Sequence, residues 1–230
     1  VRLLIGQAKV KTVLGELFTS PTPIIPPERF VMPGLYGIDC VEAGGPEPGV
    51  GCGGRGVARM FELFDDLDFV AQGGYEVTLF DVLGDVVCGG FAAPLRSGYA
   101  QKIVIVSSEE MMSLYAANNI CRAIKRHESN GIHLAGIVAN IRDSRDDASE
   151  VENFAKAIGT RVLAVLPRDP LLRKAELARR PLIDLAPDAE STSRFRALAS
   201  ELLALDPSSC ASPTPFDEDA FERYMTKELV

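Results

Sequence analysis

No stretch of the 230-residue chain comes near the roughly 20 consecutive apolar residues that span a bilayer. The opening Val1-Arg2-Leu3-Leu4 lacks the ordered basic, apolar and small-residue zones of a secretory signal. These absences argue against membrane insertion and export, and make the cytoplasm the expected location. Basic clusters are missing as well. Lysine and arginine number 24 against 32 acidic residues, for a formal net charge of −8, and no segment gathers the cations that phosphate neutralisation demands. A nucleic-acid binder is therefore excluded, and protein or small-molecule partners are expected. The five cysteines are odd in number and scattered, which leaves buried thiols or metal ligands rather than a disulfide framework. There is no internal repeat and no low-complexity segment.

What is present suffices for a full core: 47% of the residues are hydrophobic and 24% charged. The expected organisation is one α/β domain over residues 1–205 and a C-terminal tail over 206–230, because Asp206 to Pro215 is rich in proline and serine. Apolar runs at Tyr75 to Phe80, Lys102 to Val106, His133 to Ala139 and Arg161 to Leu166 predict strands. Their continuous Val, Ile and Leu content predicts a parallel sheet covered on both faces. Between them, Glu109 to Arg126 carries Met111, Leu114, Cys121 and Ile124 at helical spacing, with Ser107 and Glu110 placed for a capping box. Further helices are predicted at Ser149 to Ile158, Leu171 to Arg179 and Ser191 to Leu205, with a weaker signal at Lys9 to Phe18. This alternation is that of a doubly wound, mostly parallel fold.

Two glycine-rich segments break the pattern, and each holds a cysteine. One runs from Gly44 to Gly56 around Cys52, the other from Asp81 to Gly90 around Cys88. Dense glycine is expected where a backbone takes positive φ or comes very close to another object. An iron–sulfur cluster is one such object, since thiolates hold iron and glycine N–H groups can face cluster sulfurs. Two small buried thiols beside tight turns are the alternative. A four-thiolate cluster would need a second copy of the chain to complete it. Cys40, Cys121 and Cys210 lie outside such loops and are assigned to packing or surface.

The predicted strand Tyr75 to Phe80 ends in Asp81, a place where nucleotide-binding sheets keep a carboxylate for Mg²⁺, although a solvated or capping Asp fits equally well. Gly84-Asp85 and then Cys88 follow within the same short segment. Such a segment could couple nucleotide state to cluster position. No G-x-x-x-x-G-K-[ST] phosphate loop occurs anywhere.

The run Cys40 to Gly56, then Asp81 through Phe91, then Glu110-Met111-Met112 and Tyr115 to Ile120 closely resemble the nitrogenase iron protein family, and the resemblance extends from about Arg2 to Leu205. It implies a fold of the P-loop NTPase type whose phosphate-loop segment is missing. Val1-Arg2-Leu3 resembles the point just after the first switch, so the chain reads as N-terminally truncated and is expected to be inactive alone. The resemblance further implies a 4Fe–4S cluster, one per homodimer, held by Cys52 and Cys88, and MgATP as second cofactor. Asp81 and Asp85 match the switch carboxylates for Mg²⁺ and for the hydrolytic water. Asn140, Pro167, Arg168, Asp169 and Glu176 match positions around adenine and ribose, and Arg55 matches the arginine that meets the partner and is ADP-ribosylated in some members. The implied activity is ATP-driven transfer of single electrons to a larger metallocluster component, with reduced ferredoxin or flavodoxin as donor. Gly53, Ala43 and the proline-rich Ser20 to Pro33 depart from the commonest wording. That leaves open the iron proteins of methylthio-alkane, protochlorophyllide and chlorophyllide reductases. A cluster-carrier ATPase of the same broad fold is the other alternative, though carriers typically show closely spaced paired cysteines.

Overall fold

A short run rich in Val and Ile becomes a strand when neighbours complete its hydrogen bonds, and three of the four predicted runs find such neighbours. The computed structural model describes residues 1–45, 53–84, 92–96, 99–143 and 147–226. These form two compact units, one built from residues 1–83, 92–96 and 170–187, the other from 99–169 and 188–226.

In the first unit the chain forms α1 (Arg2–Ile5), α2 (Val13–Phe18), β1 (Met32–Pro33), β2 (Asp39–Cys40), α3 (Gly53–Asp66), α4 (Phe69–Gly73) and α5 (Ala92–Arg96). The weak signal at Lys9 to Phe18 narrows to α2, because Thr12 caps it: its Oγ1 accepts from the Gly15 N–H at 3.1 Å. Strands β1 and β2 pair antiparallel. Beside them Phe30 and Leu63 are fully buried, and Phe30, Phe61, Phe64 and Phe69 stack and tilt against one another.

The second unit begins with β3 (Lys102–Ser107), α6 (Met111–His127), β4 (His133–Asn140), α7 (Ser149–Ala157) and β5 (Val162–Leu166). The chain then adds α8 (Pro170–Ala178) and α9 (Leu182–Leu185) to the first unit and returns to the second for α10 (Glu190–Ala204) and α11 (Glu218–Thr226). The sheet is parallel in the order β3-β4-β5. Central β4 is buried from Leu134 to Ala139, as expected of a strand covered on both faces. The register slips on each side of Gly136, where Ala135 is extra against β3 and Leu163 is extra against β4. Gly136 has φ +151°, and a Cβ there would meet the Leu163 side chain at 2.7 Å and the Arg161 carbonyl at 2.8 Å. Only glycine fits this bulge.

One predicted strand does not form. Tyr75 to Phe80 is irregular, and Val77 and Leu79 are 52% and 88% exposed. Its first residue is tied to the small sheet by a side chain instead: the Tyr75 hydroxyl donates to Asp39 Oδ2 at 2.8 Å, and its ring lies against Phe69. Among the described residues no strand runs beside it, and β propensity acts only where one does.

The predicted capping box is also absent. Helix α6 starts at Met111, with no side-chain bond at its cap. Ser113 takes over the junction, its Oγ accepting from the Ser108 N–H at 2.9 Å and lying 3.0 Å from Ser107 Oγ. The residues after Leu205 include a helix, α11, and fold onto the second unit. Asn118, buried in α6, grips Phe216 in both directions, donating to its carbonyl and accepting from its N–H, each at 2.9 Å. Phe216, Phe221 and Tyr224 then pack among themselves and with Phe154 and Tyr115.

Candidate functional site

Parallel strands all end on the same edge of their sheet, so the residues that follow β3, β4 and β5 converge there. This carboxyl edge is where doubly wound sheets take ligands. After β3 come Ser108 and Glu109, after β4 the segment Ile141 to Asp143, and after β5 the run Pro167 to Asp169.

Hydrogen bonds tie the three ends together. The Ile141 N–H donates to the Leu166 carbonyl at 2.9 Å. The Arg142 N–H donates to both carboxylate oxygens of Glu109 at 3.1 Å, and the Asp143 N–H to Oε1 at 3.0 Å. Arg168 Nη1 donates to the Arg142 carbonyl at 3.2 Å, and Ser191, in the first turn of α10, donates to Asp169 Oδ2 at 2.6 Å. An exposed ion pair, Arg142 Nη1 to Glu110 Oε2 at 3.6 Å, contributes little by itself. Glu109 is 8% exposed. Burial pushes its carboxyl upward, but N–H donors from Glu109 itself, Asp143 and Arg142, with the Arg142 guanidinium, hold it below the ordinary carboxylate range.

Asn140, Pro167, Arg168 and Asp169 share this edge in the second unit, where Asn140, Pro167 and Arg168 are exposed and Asp169 half-buried. Glu176 is exposed on α8, in the first unit. Asp81 is described and exposed, but the strand it was expected to end is not formed. Cys52, Asp85 and Cys88 lie outside the described residues. Glu109 is the residue that sequence reasoning missed. It stands two residues past the end of β3, where the sequence pattern predicts only the start of a helix.

Helix α3 opens at Gly53 and so takes Arg55 into its first turn, exposed. Two of the loop glycines prove to face this chain itself. Gly44 has φ +77°, and a Cβ there would lie 2.6 Å from Thr12 Cβ; at Gly56 it would lie 2.6 Å from Leu14 Cδ1 and 2.7 Å from the Gly44 carbonyl. At these two positions the close neighbours are the start of α2 and the loop itself.

Two of the described thiols, Cys40 and Cys121, are poor ligands. Cys121 is fully buried, its pKa pushed up to about 12 by desolvation, and Cys40 is raised chiefly by burial. Among the described residues no group of three or more His, Cys, Asp or Glu side chains is placed to hold a metal, and no helix is long and apolar enough to cross a membrane. A cleft of about 510 Å³ in the first unit, lined in part by Glu28, Asp39, Phe69 and Tyr75, contains none of the assigned residues.

Among solved structures, the chain is similar to the MinD cell division protein of Aquifex aeolicus, with a TM-score of 0.63 and 13% identity, covering 89% of this chain and 80% of that one. It is also similar to a ParA family ATPase from Chlorobium tepidum TLS, with a TM-score of 0.61 and 16% identity over 87% and 78% of the two chains. At such identities the likeness speaks for the α/β fold alone. In sequence it is 42% identical to a nitrogenase iron protein of Methanospirillum hungatei over 88% of this chain and 72% of the relative. It is 39% identical to nitrogenase iron protein 1 of Methanothermobacter thermautotrophicus over 98% and 82%. The profile described as "4Fe-4S iron sulfur cluster binding proteins, NifH/frxC family" matches residues 1–229. Members of this family bind a 4Fe–4S cluster and use MgATP. By the extent of that match and the identity of its relatives, the chain belongs to the NifH/frxC family of 4Fe–4S iron–sulfur cluster binding proteins.

Proposed function

We propose that this chain is the ATP-driven reductase component of a nitrogenase-type system, working as a homodimer that delivers single electrons to a larger metallocluster partner. The observation that carries the reading is 38–42% identity, over 88–98% of the chain, to relatives named nitrogenase iron proteins. The reading includes reduced ferredoxin or flavodoxin as donor and a cytoplasmic location.

Cys52 and Cys88 would hold the cluster, two thiolates from each subunit, which meets the four-thiolate requirement without calling on the buried Cys40 or Cys121. When bound, the cluster supplies a one-electron store; the chain's own residues do the rest. Asp81 would hold Mg²⁺, which supplies charge neutralisation at the phosphates, and Asp85 would accept a proton from the attacking water. Asn140, Pro167, Arg168, Asp169 and Glu176 surround the base and ribose. Arg55 meets an acidic surface on the partner. A cation in the first turn of a helix is opposed by the helix dipole, so its value lies in what it contacts outside the chain.

Anaerobic reconstitution with iron counting tests the reading. Cys52→Ala and Cys88→Ala should each lose the brown chromophore and the bridging of the dimer, while Cys121→Ala and Cys210→Ala keep wild-type iron. Near-normal iron in either of the first two would sink the shared-cluster assignment.

A further inference from the structure

The buried carboxylate of Glu109 serves no step proposed above, although its cost is plain. A carboxylate withdrawn from water is retained only where donors replace the lost hydration. Here the replacement donors are main-chain N–H groups of one short segment, Arg142 and Asp143, which begins two residues after Asn140. The other side of the same segment is held by Arg168, whose guanidinium bonds the Arg142 carbonyl. The Arg142 residue is thus gripped at its N–H by a side chain following β3 and at its C=O by a side chain following β5. Its predecessor Ile141 is pinned to the last carbonyl of β5. Loop ends of strands are ordinarily the mobile part of such a fold, and this one is clamped from both neighbours.

We infer that Glu109 is a positioning residue for nucleotide-base recognition: through the Arg142 and Asp143 amides it holds the segment after Asn140, and through the Arg142 carbonyl it sets the place of the Arg168 guanidinium. This rests on the assignment of Asn140 and Arg168 to the base and ribose of a purine nucleotide. Glutamine has the same shape but turns one acceptor into an N–H₂ donor facing main-chain donors. The substitution therefore removes a charge-assisted bond and sets two donors against each other.

The test measures equilibrium binding of MgATP, MgGTP and magnesium tripolyphosphate to the purified protein, with Asn140→Ala and Arg168→Gln alongside. Glu109→Gln should weaken MgATP binding by about tenfold and cut the ATP-over-GTP preference several-fold. It should leave tripolyphosphate, which has no base, within about twofold of wild type. Glu109→Asp, which keeps the charge but shortens the reach by one methylene, should behave the same way and serves if Glu109→Gln does not fold. A Glu109 variant with lowered melting temperature but wild-type affinity and base preference would overturn the inference, as would equal losses for ATP and tripolyphosphate. Should Asn140→Ala and Arg168→Gln leave MgATP binding untouched, it is the base-site assignment beneath the inference that fails.

Discussion

Two runs that both predict strands, Leu134 to Ala139 all aliphatic or small and Tyr75 to Phe80 carrying Glu76 and Thr78, meet opposite fates in this molecule. Leu134 to Ala139 lies at the centre of a parallel sheet and is buried throughout. Tyr75 to Phe80 stays irregular, with Leu79 almost wholly in solvent. What separates them is company. The first has a strand on each side, whereas the second forms no strand and is held by its end residues, Tyr75 on Asp39 and Phe80 against the Phe61 ring. A strand is a property of a pair of segments, and β propensity reports only that a segment would suit one.

The comparison is broken most sharply by cutting the same kind of side chain from both runs. Ile137, fully buried in β4, should cost about 2–5 kcal/mol when changed to alanine. Leu79→Ala should stay within about 0.5 kcal/mol of wild type. Urea denaturation of the two variants measures both. A large loss at Leu79 would mean that this run is buried in the protein in solution.

A smaller effect sharpens the anchor. Tyr75→Phe removes the hydroxyl that reaches Asp39 and should cost about 0.5–1.5 kcal/mol, read by the same denaturation curves. The tyrosine itself should titrate late. Burial first, then its bond to Asp39 and the negative charge there, push its pKa up to about 12, so ultraviolet titration should show a phenol ionising at about pH 12 that is lost in Tyr75→Phe.

The smallest effect compares the thiols of the two units. Cys40 and Cys121 have pKa values raised by burial, and a raised acid pKa favours the protonated, folded form. That contribution is complete below the unfolded thiol value and is lost as pH climbs through the folded one, about 12 for Cys121. In a variant carrying Cys52→Ala and Cys88→Ala, a thiol reagent at pH 8 should therefore label half-exposed Cys210 first and leave Cys40 and Cys121 until the protein unfolds. Rapid native labelling of Cys121 would show that its side of α6 opens.

Much of the second unit was legible in the residues alone. The limits of β3, β4 and β5, the apolar face of α6 and the positions of α7 and α10 follow from period and composition to within a residue or two, as does α8 in the first unit. These are signals carried by each segment by itself. The first unit was less legible, because its short elements are specified by contacts such as Arg29 to Glu16 at 2.7 Å and the Phe30–Phe64 stack, which join distant parts of the chain. The residues assigned by family likeness could be numbered from sequence, yet their surroundings could not. Nothing local marks Glu109 as buried, and its neighbour Glu110, equally acidic, is exposed.

The sequence by itself determined the periodic elements, the two glycine- and cysteine-rich motifs and the family, since each depends on residue order along the chain. Tertiary structure alone decided that Tyr75 to Phe80 would not pair, that Gly44 and Gly56 would press against α2 and their own loop, and that one of two adjacent glutamates would close a clamp across three strand ends. The physical reason is the same in each case: hydrogen bonds and close packing need a second partner, and only the folded chain brings that partner within about 3 Å.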